Sequence, residues 1–219
     1  HWNVCFEDPR SEHPHPEHDS PAELSEARHP LVIVGELSRE ESRGVSATLH
    51  QWGYPVITDK PLTATLAEAH ELATLVETAG KPFGVTYTYS GYPLVREARA
   101  RIAAGEIGTV RKVVVEYPQG WLAGEAVGKQ AEWRVDPAKA GLGGCIGDIG
   151  VHAFQLAEFV TGLRVTELLA DLGAVVPGRL LDDDCSILLR FDNGARGVLL
   201  ASQIEVGELN GLRIRAYGD

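Results

Sequence analysis

The sequence predicts an α/β segment that ends a nucleotide-type parallel sheet, followed by an α+β domain with a mostly antiparallel sheet and helices on one face. Three observations carry this. Short apolar runs alternate with helix-period stretches up to about residue 104, and longer alternating strands take over from Val110. The triplet Asp192-Asn193-Gly194 stands between two of those strands, where a tight hairpin is expected.

Residues 1 to 30 are rich in Pro, His, Glu and Ser and hold no period, so they read as irregular. Within them, His13-Pro14-His15-Pro16-Glu17-His18 collects imidazoles, but the prolines impose an extended backbone and no Cys or paired carboxylate frames a closed metal site. A solvated loop is the reading, with adventitious metal binding as the lesser alternative.

Leu31-Val32-Ile33-Val34 ending at Gly35 suits a buried parallel strand. Residues 39 to 52 place Val45, Leu49 and Trp52 on one helix face before Gly53, and Tyr54 to Thr58 makes the next strand, completing a strand-helix-strand crossover. Leu66 to Ala79 is a helix with Leu66, Ala69, Leu72, Ala73 and Val76 on one face, Thr63 or Thr65 as its cap and Gly80 as its stop. Pro82 to Tyr87 follows as a strand and Tyr92 to Ala104 as a helix carrying Leu94, Ala98 and Ile102 on one side. The long strands are Val110 to Tyr117, Val165 to Val175, Cys185 to Phe191, Gly197 to Gln203 and Leu212 to Tyr217, interrupted by a helix from Ile149 to Val160.

Composition narrows the function. In 219 residues, 44% of them apolar, 31 acidic side chains face 20 basic ones, a net charge of -11 that argues against a general nucleic-acid binder. No apolar run approaches the roughly 18 residues of a membrane span, and no basic-then-apolar leader opens the chain. Cys5, Cys145 and Cys185 are odd in number and far apart, so no disulfide framework or Cys-x-x-Cys pair is present, which suits a reducing cytoplasm. The absence of Met, the start at His1 and the alternating run that closes on Gly218-Asp219 read together as a stretch of a longer protein.

Two motifs could carry chemistry. Asp59-Lys60-Pro61 follows an apolar strand directly, so Lys60 projects from the carboxyl end of a parallel strand, where ligands of open α/β sheets bind; the plainer reading is a surface turn with a solvated lysine. In the second, Gly143-Gly144-Cys145-Ile146-Gly147-Asp148-Ile149-Gly150-Val151-His152, a glycine-rich loop enters a helix and sets Asp148 and His152 one turn apart. The glycines would let the backbone approach a bound molecule, and the dipole favours a carboxylate at the helix start. An alcohol losing hydride from carbon must also lose its hydroxyl proton; His152 would be the base and Lys60 the cation facing the developing alkoxide, with Asp148 holding substrate or orienting the imidazole. The plainer reading makes Asp148 an N-cap and His152 a packed histidine.

With both motifs in this order, the chain from about Gly53 to Asp219 resembles the glucose-fructose oxidoreductase, inositol dehydrogenase and rhizopine-catabolism (Gfo/Idh/MocA) family. An Asp-Lys-Pro or Glu-Lys-Pro ends that family's nucleotide domain, and Gly-Asp-x-Gly-x-His opens a helix of its substrate domain. The resemblance implies residues 31–90 as the C-terminal part of a Rossmann-like domain and 91–219 as a truncated substrate and oligomerisation domain, with residues 1–30 irregular. It implies Lys60, Asp148 and His152 as catalytic groups, and Asp59, Lys60, Pro61, Trp133 and Arg134 beside a bound NAD or NADP. A sugar or polyol is the implied substrate, and a homo-oligomer formed through the open sheet face the implied assembly.

Gly178-Arg179-Leu180-Leu181-Asp182-Asp183-Asp184 also matches the family, its aspartates reading as a solvated turn rather than a metal site. Two departures stand out: no Gly-x-Gly-x-x-Gly turn, the main pyrophosphate grip, occurs in the chain, and Gly35-Glu36-Leu37-Ser38 replaces the family's usual Thr-Pro loop. They leave room for a second expectation, a non-enzymatic binding or dimerisation module of the same fold, and a weaker third, cofactor-dependent cleavage of a glycosidic bond.

Overall fold

The computed structural model describes residues 3–4, 32–35, 44, 46–48, 51 and 53–219. Two compact units divide the chain, His1–Thr86 and Tyr87–Asp219.

In the first unit four strands lie in chain order: β1 (Asn3–Val4), β2 (Val32–Gly35), β3 (Val56–Asp59) and β4 (Phe83–Thr86). β2, β3 and β4 are parallel, as the apolar runs imply, while β1, inside the segment expected to be irregular, pairs antiparallel with β2. Val56 and Thr58 are each 1% exposed and alternate with more open neighbours, so one side of β3 is buried. Helix α1 (Leu66–Ala79) starts at a capping box in which Thr65 and Glu68 satisfy each other's backbone amides, and it stops at Gly80 in the left-handed region. Leu72 is its buried anchor; Leu66, 73% exposed, and Ala73, both expected on the inner face, are exposed because the buried stripe runs through Ala69, Leu72, Leu75, Val76 and Ala79 and leaves them at its edge. The His13–His18 cluster and Cys5 lie outside the described residues, as does most of the helix expected over 39–52, of which Gly44, 46–48 and Gln51 are helical.

The second unit opens with a 3-10 turn (Thr88–Gly91) and α2 (Pro93–Ala103), then β5 (Lys112–Pro118), two short helices α3 (Lys129–Glu132) and α4 (Pro137–Ala140), a π turn (Ile146–Gly150) and α5 (Val151–Thr161). Strands β6 (Val165–Gly173), β7 (Asp184–Phe191), β8 (Arg196–Ser202) and β9 (Arg213–Tyr217) complete it. The sheet order is β6-β7-β8-β5-β9, antiparallel throughout except for the parallel β5–β8 pair. The expected hairpin joins β7 to β8, with Gly194 at φ +87° as its tight turn requires.

Strand alternation decides which face is covered. Val113, Val115 and Tyr117 of β5, Cys185, Ile187, Leu189 and Phe191 of β7, and Leu199 and Ala201 of β8 all point to the side where Ile149, Ala153 and Ala157 line the inner stripe of the π turn and α5. Ile102 of α2 packs against the same core. The inner face of α2 runs through Val95, Ala98 and Ile102 rather than Leu94, which is 83% exposed; spacings of three and four hold one face, whereas two successive steps of four drift off it.

The other side of the sheet is open. Its register aligns Leu169, Leu188, Val198, Val114 and Arg215 in a central row. A row with three cations, Glu167, Arg190, Arg196, Lys112 and Tyr217, flanks it on one side, and Asp171, Ser186, Leu200, Glu116 and Arg213 on the other. Among the described residues no helix is long and apolar enough to cross a membrane.

Candidate active site

β5 and β8 run parallel and end side by side, Pro118 opposite Ser202, while β7 starts there at Asp184. The loops beyond this edge carry the second unit's candidate groups. Residues 144–146 are stitched to Asp182: its carboxylate accepts from the Gly144 N–H at 2.6 Å and the Ile146 N–H at 2.7 Å, and its carbonyl accepts from the Cys145 N–H at 2.8 Å. A β-carbon on Gly144 would lie 2.0 Å from the Asp182 carbonyl oxygen, so only glycine fits. The space that this glycine opens is therefore filled by protein backbone and not by a ligand, contrary to expectation.

From that anchor the chain enters the π turn rather than a regular helix start; the Val151 N–H reaches back to the Ile146 carbonyl. Such turns widen a helix locally and recur at functional sites. Asp148, inside the turn and 6% exposed, does not stand at its N-cap, which is Cys145. Its Oδ2 accepts from Arg134 Nε and from Gln203 Nε2, both at 2.9 Å. The Arg134 guanidinium in turn lies 4.3 Å from the Trp133 ring centre and 5.7 Å from that of Trp121. The N-cap reading of Asp148 is thereby excluded: the carboxylate is a buried acceptor, held between a cation and an amide.

His152 follows one turn later and is 8% exposed. Three tyrosine rings wall it, all from the second unit: Tyr89 at 4.8 Å and Tyr87 at 5.9 Å, both nearly perpendicular, and Tyr117 at 6.2 Å, tilted by 54°. Burial holds the Tyr87 phenol above its ordinary pKa, and burial with the Tyr89 hydrogen bond does the same, more strongly, for Tyr117. Both phenols stay neutral beside the imidazole in the neutral pH range.

In the first unit, Lys60 follows the last residue of β3. Asp59 Oδ1 accepts from the Lys60 N–H at 2.8 Å and from Thr86 Oγ1 at 2.7 Å, tying the carboxyl ends of β3 and β4 together; the Lys60–Pro61 bond is cis. The structure thus collects Asp148, His152, Arg134 and Trp133 in the second unit, and Asp59, Lys60 and Pro61 at one strand end in the first.

The Asp182–Asp184 stretch corrects its reading as a solvated turn. Asp183 is fully buried, and its two oxygens accept from the Val175 N–H at 2.7 Å and the Val176 N–H at 3.0 Å. Its carbonyl accepts from the Gln203 N–H at 2.9 Å, which places the amide that reaches Asp148. No group of three potential ligands that could hold a metal ion forms among the described residues. Gln203 carried one usable signal, an uncharged polar residue in phase with the buried Leu199 and Ala201.

Residues 95–219 match the family model for the GFO/IDH/MocA C-terminal domain. The chain is 38% identical over 171 residues to the uncharacterised oxidoreductase YfiI of Bacillus subtilis, covering 76% of this chain and 44% of that protein. It is 27% identical over 177 residues to the myo-inositol dehydrogenase Hyg17 of Streptomyces leeuwenhoekii, covering 79% and 50%. Its fold superposes with a TM-score of 0.85 on an inositol dehydrogenase homologue of Azotobacter vinelandii complexed with NAD+, at 30% identity and with 94% of this chain and 54% of that one covered. The chain belongs to the Gfo/Idh/MocA family. It spans about half the length of the curated relatives it matches.

Proposed function

We propose that this protein is an NAD(P)-dependent oxidoreductase that moves hydride between a hydroxyl-bearing carbon of a sugar or polyol and nicotinamide, with Lys60, Asp148 and His152 as its catalytic groups. The observation that carries the reading is the buried Asp148 carboxylate, fixed by Arg134 and Gln203 one turn before a buried imidazole. Burying a carboxylate costs stability even where it is partnered, which supports a role for Asp148 beyond packing.

The residues present suit the nicotinamide end of a dinucleotide. In the second unit the Arg134 guanidinium lies over the Trp133 and Trp121 rings, which supports a place for the aromatic end; in the first unit Asp59 ends a parallel strand, the position at which such ligands bind. Bound there, the nicotinamide supplies the hydride acceptor or donor. Asp59 acts by shaping the strand end, its Oδ1 being taken by Lys60 N and Thr86.

His152 accepts the substrate hydroxyl proton. Lys60, by the family pattern, sets its ammonium charge against the oxyanion that develops, and Asp148 accepts from a substrate hydroxyl while its own orientation is locked. The free, buried thiols of Cys145 and Cys185 accord with a cytoplasmic location.

A second copy of the chain covers the open sheet face in this proposal. A two-fold axis along the central row lays apolar Leu169, Leu188 and Val198 on their own copies and brings Lys112 against Glu116 of the second copy.

The test is a panel of inositols and aldoses with NAD and with NADP on the full-length protein, followed by nicotinamide absorbance. Turnover of at least one member supports the proposal. No turnover of any member, in a protein that still assembles, favours the non-enzymatic module.

A further inference from the structure

Beside the imidazole lies a closed hydrogen-bond circuit that the proposed chemistry does not use. Tyr117 OH donates to Asn210 Oδ1 at 2.5 Å, and Asn210 Nδ2 donates to Tyr89 OH at 3.3 Å. The Tyr89 and Tyr117 hydroxyls also bond to each other, and because the single Tyr117 hydrogen is engaged, Tyr89 must be that donor. The three side chains thus donate in one rotational sense.

That sense is set from outside the circuit. An indole N–H can only donate, so Trp121 Nε1, 2.8 Å from Gln119 Oε1, fixes which end of the Gln119 amide is oxygen. The other end, Gln119 Nε2, donates to Asn210 Oδ1 at 2.8 Å, which fixes the Asn210 amide in turn and aims its NH2 at Tyr89. Three loops and a strand end are joined this way: Tyr89 from the 3-10 turn, Tyr117 from β5, Gln119 and Trp121 just after it, and Asn210 from the β8–β9 connection.

We infer that Asn210 is a positioning residue for His152, acting through Tyr89 and Tyr117, two of the three rings that wall the imidazole. The Tyr89 contact with His152 is edge-to-face and directional, so a Tyr89 phenol held by its hydrogen bonds to Asn210 and Tyr117 fixes the plane of the imidazole, while the tilted Tyr117 ring bounds it from a second side. The circuit adds no charge beside the imidazole. The inference rests on the reading of His152 as the acid/base, for which ring orientation controls proton transfer.

The experiment compares Asn210→Ala and Tyr89→Phe with the parent in the full-length protein, and records imidazole 15N spectra of His152 in the same protein. Losing a net hydrogen bond of the usual strength predicts a fall in kcat of about three- to tenfold. KM should stay within about twofold, because only orientation in the transition state is lost. The His152 resonances should shift or broaden while the sheet amides keep their positions. Both variants open the same circuit, so the double variant should be no slower than the slower single one. A raised KM at normal kcat would make Asn210 a substrate contact and overturn the inference, as would unchanged His152 spectra. Should Asn210→Ala fail to fold, Tyr89→Phe keeps every ring in place and decides alone. Normal turnover in His152→Ala would refute the acid/base reading instead, and the spectra would still report whether Asn210 and His152 are coupled.

Discussion

Replacing Asp183 by Asn puts a number on the loop that supports the site. The parent carboxylate, with no exposed surface, accepts one backbone N–H on each oxygen, at 2.7 and 3.0 Å. Asparagine has the same shape but one acceptor, so its NH2 group would face either Val175 N–H or Val176 N–H, donor against donor. One hydrogen bond to a charged acceptor is lost, about 1.5–3 kcal/mol, and a buried amide is left without an acceptor, for a total of about 2–4 kcal/mol. With a urea m-value of about 2 kcal/mol/M, the unfolding midpoint falls by about 1–2 M. Tryptophan fluorescence of Asp183→Asn against the parent measures it, with Asp192→Asn on the exposed hairpin as the control, expected to stay within about 0.5 kcal/mol. A midpoint for Asp183→Asn indistinguishable from that of the control would refute the reasoning and restore the solvated-turn reading.

Three further outcomes follow from the same geometry. Asp148→Asn keeps an acceptor for Arg134 and Gln203 but leaves the guanidinium without its counter-charge, so KM should rise and kcat fall together in steady-state kinetics; a change in KM alone would restrict Asp148 to ground-state binding. The Tyr117 phenol binds its proton more tightly in the folded state than its ordinary value of 10.0 allows, so its stabilisation is complete below that pH and is lost as pH rises beyond it. Melting temperatures should therefore drop more steeply above that value in the parent than in Tyr117→Phe, and parallel curves would contradict the burial of the phenol. Leu188→Arg, at the centre of the open face and 56% exposed, should reduce the mass in light scattering to that of one chain without lowering the melting temperature; an unchanged oligomer would move the interface elsewhere.

Much of the architecture was legible because local chemistry and tertiary context agree. Helix α1 starts and ends where its Thr65-x-x-Glu68 box and Gly80 place it, and β5, β7 and β8 alternate as one-sided strands must. Position within a face was less secure. Leu94 and Val95 are equally apolar, and Val95 is the one whose spacing of three and then four to Ala98 and Ile102 keeps it on the face that docks on the core.

At the site, Asp148 and His152 could be picked out from their spacing, but what holds them could not. Gln203 and Arg134 lie 55 and 14 positions from Asp148, and Asp182 lies 38 from Gly144. A carboxylate that caps the amides of another loop leaves no mark on its own neighbours in the chain. Hence Asp182 and Asp183 looked like solvent-facing acids, and Gly144 looked like room for a ligand.

The central claim is that His152 carries the proton in a hydride transfer, assisted by Lys60. Steady-state turnover of His152→Ala and Lys60→Ala in the full-length protein, with an active polyol and a parallel fluorescence titration of reduced cofactor, tests it most directly. Removing a positioned acid/base should lower kcat by about 10² to 10⁴. Cofactor affinity should change little, since both groups act on charge that develops at the substrate oxygen. Near-normal turnover in His152→Ala would contradict the account.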